Sequence, residues 1–281
     1  MRPAICGFAF TLVSTAVLAW GSPAQEKPAA AQDAPKALPL ATSTQGKEAA
    51  AVDVVLTLVH SGGGKECGGG TMPPCENTDH WQVKVKLNGK GGGERTFGLT
   101  VTKKEDLRKH LEAFAARKIR IKHADRVSIS NATLSLRVGP QVPYCLVQGV
   151  VATVAGAGIT QIEFAVLPGA GKAEQRLAMP LPLDEASNIV VAKDEGGVRV
   201  MMRVVNEKRD YERQVGVIKI PMGEAGDVEL RTRVVKSTVE KTAPAVIVAQ
   251  KSVPWQAVVG VIDICQAAGR TVIFANPDFA K

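Results

Sequence analysis

Val142-Pro143-Tyr144-Cys145-Leu146-Val147-Gln148-Gly149-Val150-Val151-Ala152-Thr153-Val154-Ala155-Gly156-Ala157-Gly158 returns 111 residues later as Val253-Pro254-Trp255-Gln256-Ala257-Val258-Val259-Gly260-Val261-Ile262-Asp263-Ile264-Cys265-Gln266-Ala267-Ala268-Gly269, and seven of the seventeen aligned residues are identical. In both stretches a Pro stands where a helix begins, at an N1 position whose missing N–H costs nothing. Val147, Val150, Val151 and Val154 recur on one helical face, and Val258, Val261, Ile262 and Cys265 hold the same places. Gly158 and Gly269 fall at C′, where a helix closes with a left-handed residue. A short apolar strand follows each, Ile162 to Val166 and Thr271 to Ala275.

The flanking elements repeat too. Ahead of the first motif, Val52 to Val59 and Gln82 to Leu87 read as strands, the latter alternating at period two, and a Gly-rich turn leads to a third strand, Arg95 to Val101. Thr102-Lys103-Lys104-Glu105 reads as a capping box opening a helix with Leu107, Leu111, Phe114, Ala115 and Lys118 on one face. Arg126 to Val138 reads as the strand feeding the motif. Ahead of the second motif come a hairpin of Ile189–Ala192 with Val198–Val205, a strand at Val215–Ile220, a helix capped by Asp227 with Leu230 and Val234 inward, and a strand at Val246–Val248. The reading is α+β: two tandem copies of a small two-layer domain, a mixed sheet with two helices per copy, in the order β-β-β-α-β-α-β. Copy 1 spans 51–168 and copy 2 spans 177–281, with Pro168-Gly169-Ala170-Gly171 as a hinge.

What precedes the copies is an address and a tether. Met1-Arg2-Pro3 carries one positive charge, Ala4 to Trp20 has none, and Ser22-Pro23-Ala24 ends in small residues. Residues 1–24 therefore read as an export signal, with a retained N-terminal anchor as the alternative. Residues 25–50, rich in Ala, Pro, Gln and Lys, read as a linker. A chain with 45% apolar and only 4% aromatic residues needs cores of Val, Ile, Leu and Ala. The formal charge of +8 favours acidic partners or serves solubility alone. Its Lys and Arg are scattered without interleaved aromatics, which argues against nucleic acid.

The sequence from Val-Pro-Tyr through a Val-rich helix to Ala157-Gly158-Ile159 and Ile162-Glu163-Phe164-Ala165, repeated from Val253-Pro254-Trp255 to Val272-Ile273-Phe274-Ala275, resembles the periplasmic domain of the ExbD/TolR biopolymer-transport family. Met179-Pro180-Leu181-Pro182-Leu183 is similar to the Leu-Pro stretch before that family's first strand. The resemblance covers most of 51–275. It implies a non-enzymatic envelope module, periplasmic or secreted, that binds partner proteins or cell-wall polymer. It also implies domains that pair, as a homodimer or between the two copies of one chain. Val142, Pro143, Tyr144, Gly158, Val253, Pro254, Trp255 and Gly269 are then the motif residues, with Tyr144 and Trp255 read either as candidate partner contacts or as rings packed over their own helix ends. Two departures limit it. Residues 4–20 hold no acid, so the family's membrane-embedded Asp has no counterpart in that segment. Gln141 and Ser252 stand where an acid precedes the family motif. The alternative is a membrane-anchored transport subunit held by residues 4–20.

The other chemistry-bearing residues lie between the first two strands. Cys67 and Cys75, eight apart, read as a local disulfide in an oxidising compartment, or else as free thiols. The competing reading adds His60 and His80, which strand pairing brings to the loop base, as a Cys2His2 metal site in a metal- or redox-linked secreted protein. Cys265 reads as a core residue, Cys145 as a first-turn thiol or a bystander, and a Cys145–Cys265 bridge is compatible with the sequence. Ser61-Gly62-Gly63-Gly64-Lys65 lacks the spacer and Ser/Thr of a phosphate loop, and Gly156-Ala157-Gly158 ends a helix instead of opening one. His110 and His123 read as surface residues. No catalytic constellation is expected, and no cofactor.

Overall fold

In the computed structural model the first sheet is built on an antiparallel pair. Strand β2 (Val54–His60) pairs antiparallel with β3 (Trp81–Leu87), and β3 with β4 (Glu94–Gly98). Helix α1 (Val101–Ala115) crosses to β6 (Val127–Arg137), which lies parallel to β2. Helix α2 (Tyr144–Gly156) crosses again to β7 (Ile159–Val166), parallel to β6. The second sheet repeats every step: β9 (Val198–Val204), β10 (Tyr211–Val215), β11 (Ile218–Ile220), α3 (Glu224–Lys236), β12 (Ala245–Ala249), α4 (Trp255–Ala267) and β13 (Val272–Phe274). Its strand order, β11-β10-β9-β12-β13, matches β4-β3-β2-β6-β7, with the same parallel and antiparallel joins. The fold is α+β, with one mixed sheet and two helices in each half.

The structure describes residues 40–62, 75, 77–89, 92–118, 120–123, 127–168, 172–180, 198–204, 211–237 and 243–274. The chain divides into two compact units, Met1–Ala34, which lies outside the described residues, and Pro35–Lys281, which holds both sheets. The signal or anchor at 1–24, the hinge glycines, and the strand and turn expected at 189–197 also lie outside them.

The inner faces follow the alternation. Leu56, Leu58, Val83, Val85, Leu134 and Leu136 are buried under Leu107, Leu111 and Ala115 of α1 and Val147, Val150 and Val154 of α2. In the second half Val198, Val200, Met202, Ala245 and Ile247 meet Leu230 and Val234 of α3 and Val258, Val261, Ile262 and Cys265 of α4. The two sets join in one apolar cluster. Gly158 and Gly269 take φ of 78° and 76°, closing α2 and α4 as their sequence positions require.

Several expectations need correction. Helix α1 starts at Val101 after Thr100, and no side chain caps it; Glu105 is held instead by Arg108, at 2.8 and 2.6 Å. Pro143 and Pro254 are N-caps rather than N1 residues, because their ψ of 139° and 143° is extended. The single strand expected at 215–220 is a hairpin, since Gly216 at φ 59° turns the chain between β10 and β11. Helix α3 opens at Glu224 after Gly223, and Asp227 pairs with Arg213 instead of capping. A register shift between Ser130 and Thr133 explains why apolar positions in β6 change parity between Ile129 and Leu134. An unexpected strand β5 (Arg120–His123) pairs with β6.

The domain limits shift as well. Strand β8 (Gln175–Pro180) pairs antiparallel with β7, so a boundary at 177 cuts a strand of the first sheet. Residues 40–48 of the expected linker are laid against the body: Leu167 donates to Ala41, Ser43 donates to Leu167, and strand β1 (Lys47–Glu48) pairs with β8. Bland composition concealed this because the partners lie elsewhere in the chain.

Candidate functional site

The two Val-Pro-aromatic motifs meet. Pro143 and Pro254 form an antiparallel bridge. The Tyr144 amide donates to Val253 at 2.9 Å, and the Trp255 amide donates to Val142 at 2.8 Å. Cys145 donates to Lys251 at 3.2 Å, and Gln256 donates to Pro140 at 2.9 Å. Exchanging each residue for its counterpart 111 positions away turns the first bond of each pair into the second, so the contact is a two-fold repeated within one chain. The first N–H groups of any helix have no partner inside it. A proline N-cap offers no side-chain acceptor, and here each copy supplies the carbonyls that the other's helix start needs.

The aromatic rings interlock the same way. Tyr144 stands edge-on to Phe274 at 5.5 Å, and Trp255 lies 4.7 Å from Phe164. Phe164 and Phe274 are themselves 6.2 Å apart. Tyr144 is 2% exposed and Trp255 0%. Of the two readings, contact with an outside partner and packing within the chain, burial favours packing: each ring meets a Phe of the other copy, and Trp255 also lies 6.1 Å from Phe274 of its own. Burial without compensation pushes the Tyr144 phenol above its usual range.

Where copy 2 departs from copy 1, the departures hold residues 42–44. Gln256, in the place of Cys145, accepts from the Thr42 amide at 2.8 Å and donates to the Thr42 carbonyl at 3.0 Å. Asp263, in the place of Ala152, accepts from the Ser43 hydroxyl at 2.5 Å and the Thr44 amide at 2.7 Å. Residues 41–48 therefore strap the β7–β8 edge to α4. Sequence reading missed Gln256 and Asp263 as functional positions, although a polar replacement on an otherwise repeated helix was a usable signal.

No family model, curated protein or solved structure matches this chain.

At the far end of β2 a different cluster forms. His60, Cys75 and His80 each bring one ligand-type atom, all within 4.8 Å of one another. Cys75 Sγ lies 3.4 Å from His80 Nδ1. Strand pairing sets His60 opposite Trp81, whose ring it meets at 4.9 Å. The Trp81 indole N–H donates to the Cys75 carbonyl at 2.7 Å, and the Ser61 amide donates to the His80 carbonyl at 2.7 Å. Asn77 accepts from Asp79 and caps a 3-10 turn, Thr78–His80, that presents His80. Burial lowers the affinity of His60 for a proton, and the neighbouring His80 lowers it further. Cys67, the other half of the expected disulfide and of the four-ligand metal reading, lies outside the described residues.

The remaining candidates are structural. Cys265 is buried and not bridged to Cys145, and burial pushes its thiol up to about 12. His110 is half-buried against Phe97 at 5.2 Å rather than a plain surface residue, and burial followed by Arg95 and Arg117 lowers its pKa. Among the described residues no helix is long and apolar enough to cross a membrane.

Proposed function

We propose that this chain is a non-enzymatic cell-envelope module in which two ExbD/TolR-like copies, paired within one polypeptide, bind partner proteins or cell-wall polymer. The observation that carries the reading is the reciprocal bonding of the Val142-Pro143-Tyr144 and Val253-Pro254-Trp255 motifs. A motif used by each copy to complete the other explains why a duplicated domain keeps it twice. It also removes the need for a second chain to supply that pairing.

The paired copies leave equivalent strands, β4 and β11, at the ends of their sheets. An unpaired edge presents backbone donors and acceptors that an extended segment can join. Apolar exposure accompanies one of them: Val217 and Ile218 lie at its turn, and Met222 and Val228, which follow in the chain, are exposed as well.

The test places a photo-crosslinking amino acid at Thr96 on β4, at Lys219 on β11, and at exposed Ala113 on α1 as a control. A specific adduct from the two strand positions in intact cells supports the reading. Equal labelling at all three positions, or an obligate dimer by light scattering, counts against it.

A further inference from the structure

We propose that His60, Cys75 and His80 form a zinc site that pins the β2–β3 connection to the end of the first sheet. The donor set selects the metal class. Two imidazoles and a thiolate suit a borderline-soft ion such as zinc(II), whereas magnesium and calcium take oxygen ligands. The spacing fits as well. Zinc–nitrogen bonds of about 2.0–2.1 Å and zinc–sulfur bonds of about 2.3 Å put tetrahedral ligand atoms roughly 3.3–3.6 Å apart. The Cys75 Sγ to His80 Nδ1 distance of 3.4 Å already has that value, and the widest pair, within 4.8 Å, closes by rotation of side-chain torsions.

Three further features point to the same place. Among the described residues His60 Nε2 is buried without a hydrogen-bond partner, which is costly for a ring nitrogen unless something else takes its lone pair. The backbone is anchored on both sides of Cys75 and His80, through Trp81 to the Cys75 carbonyl and Ser61 to the His80 carbonyl. Gly62 lets the ring of His80 approach: a Cβ at residue 62 would lie 2.9 Å from His80 Cγ. Deprotonated Cys75 supplies one negative charge against the two positive charges of the ion. Three protein ligands leave one tetrahedral position for a fourth donor.

The competing chemistry is a disulfide between Cys67 and Cys75, which takes the same sulfur. The two are separated with the full chain, purified with reductant, in wild-type form and as C67S, H60A, H80A and C75S. Zinc content is read by elemental analysis and affinity by chelator competition. The site predicts one zinc per chain in wild type and in C67S, with affinities within about threefold. It predicts at least about tenfold weaker binding in H60A and H80A, comparable to the loss caused by disturbing a metal's supporting residues. Cobalt(II) titration of the wild type gives a second readout independent of how the variants fold: the intense visible bands of a tetrahedral ion and a near-ultraviolet thiolate-to-cobalt band. Zinc below stoichiometry in reduced wild type, unchanged affinity in H60A and H80A, or a cobalt spectrum without the thiolate band would overturn the proposal.

Discussion

The amide of Trp255 donates to the carbonyl of Val142 at 2.8 Å, and the indole it carries is fully buried against Phe164 of the other copy. Trp255 therefore serves both the backbone pairing and the shared core. Replacing it with Ala is expected to cost about 3–5 kcal/mol, the range for truncating a large buried aromatic. Urea unfolding followed by tryptophan-independent circular dichroism measures it. A loss below about 1 kcal/mol would mean that the ring does not hold the copies together.

Its counterpart gives the opposite expectation. The Tyr144 hydroxyl is buried and has no hydrogen-bond partner among the described residues. An unmet buried hydroxyl is a liability of about 1–3 kcal/mol, so Tyr144→Phe should leave stability unchanged or raise it by up to about 1 kcal/mol. A clear loss in thermal midpoint would reveal a partner for that oxygen, such as a bound water.

The strap tests whether residues 40–48 belong to the folded body. Asp263→Ala removes the acceptor of the Ser43 hydroxyl and the Thr44 amide. Losing a charged acceptor leaves those donors unmet, at about 1–3 kcal/mol. Hydrogen exchange should then rise at 42–48 while α2 and α4 stay protected. Uniform loss of protection would instead make the strap part of the global core.

How much of this was legible depends on where each signal lives. The paired helices could be read because Pro143 and Gly158, with their counterparts, bracket a Val-rich face of the right period. Strands β5 and β10 were missed because Arg120-Ile121-Lys122-His123 and Tyr211-Glu212-Arg213-Gln214-Val215 look like charged loops. Arg213 is nevertheless 2% exposed, since its charge is met by Asp227, fourteen residues away. The strap was invisible in Ala41-Thr42-Ser43-Thr44, because what orders it is Asp263 on a helix more than two hundred residues on. The His60, Cys75 and His80 cluster was partly legible: pairing β2 with β3 brings the two histidines to one end, while the position of Cys75 depends on the Trp81 bond.

Arg213 illustrates a buried charge whose partner is half in water. It donates to Asp227 and, at 2.5 Å, to the Pro221 carbonyl, while the Asp227 side chain is 50% exposed. Removing one partner of a fully buried pair costs about 3–5 kcal/mol. With Asp227 partly solvated, Asp227→Ala should cost less, about 1–3 kcal/mol. Arg213→Met removes the charge and keeps most of the volume, so it should be the milder change. Urea midpoints in the reverse order would mean that the guanidinium matters more for its hydrogen bonds than for its burial.

Asp53 gives the chain an acid-sensitive joint. Its carboxylate lies just before β2, where it accepts from Lys118 at 2.5 Å and from the Thr133 amide at 3.0 Å. Burial alone would raise its pKa. The Lys118 hydrogen bond, the Thr133 amide and the Lys118 charge outweigh that and hold it below the usual carboxylate range. In the unfolded chain it returns to about 3.9. Around and below that value the unfolded state binds more protons than the folded one, so stability rises with pH across the window. The contribution is complete well above about pH 4, and it is lost as pH falls through the lower, folded value. Asp53→Asn should therefore be less stable than wild type at neutral pH, with the difference shrinking toward the neutral-hydrogen-bond remainder in acid. Both side chains are partly exposed, so added salt should shrink the neutral-pH difference as well. Urea midpoints for the two proteins between about pH 2.5 and 7 read the effect directly. A difference that stays constant across that range would show that Asp53 acts through its shape and hydrogen bonds, and that its ionisation contributes nothing to the join between β2, β6 and the end of α1.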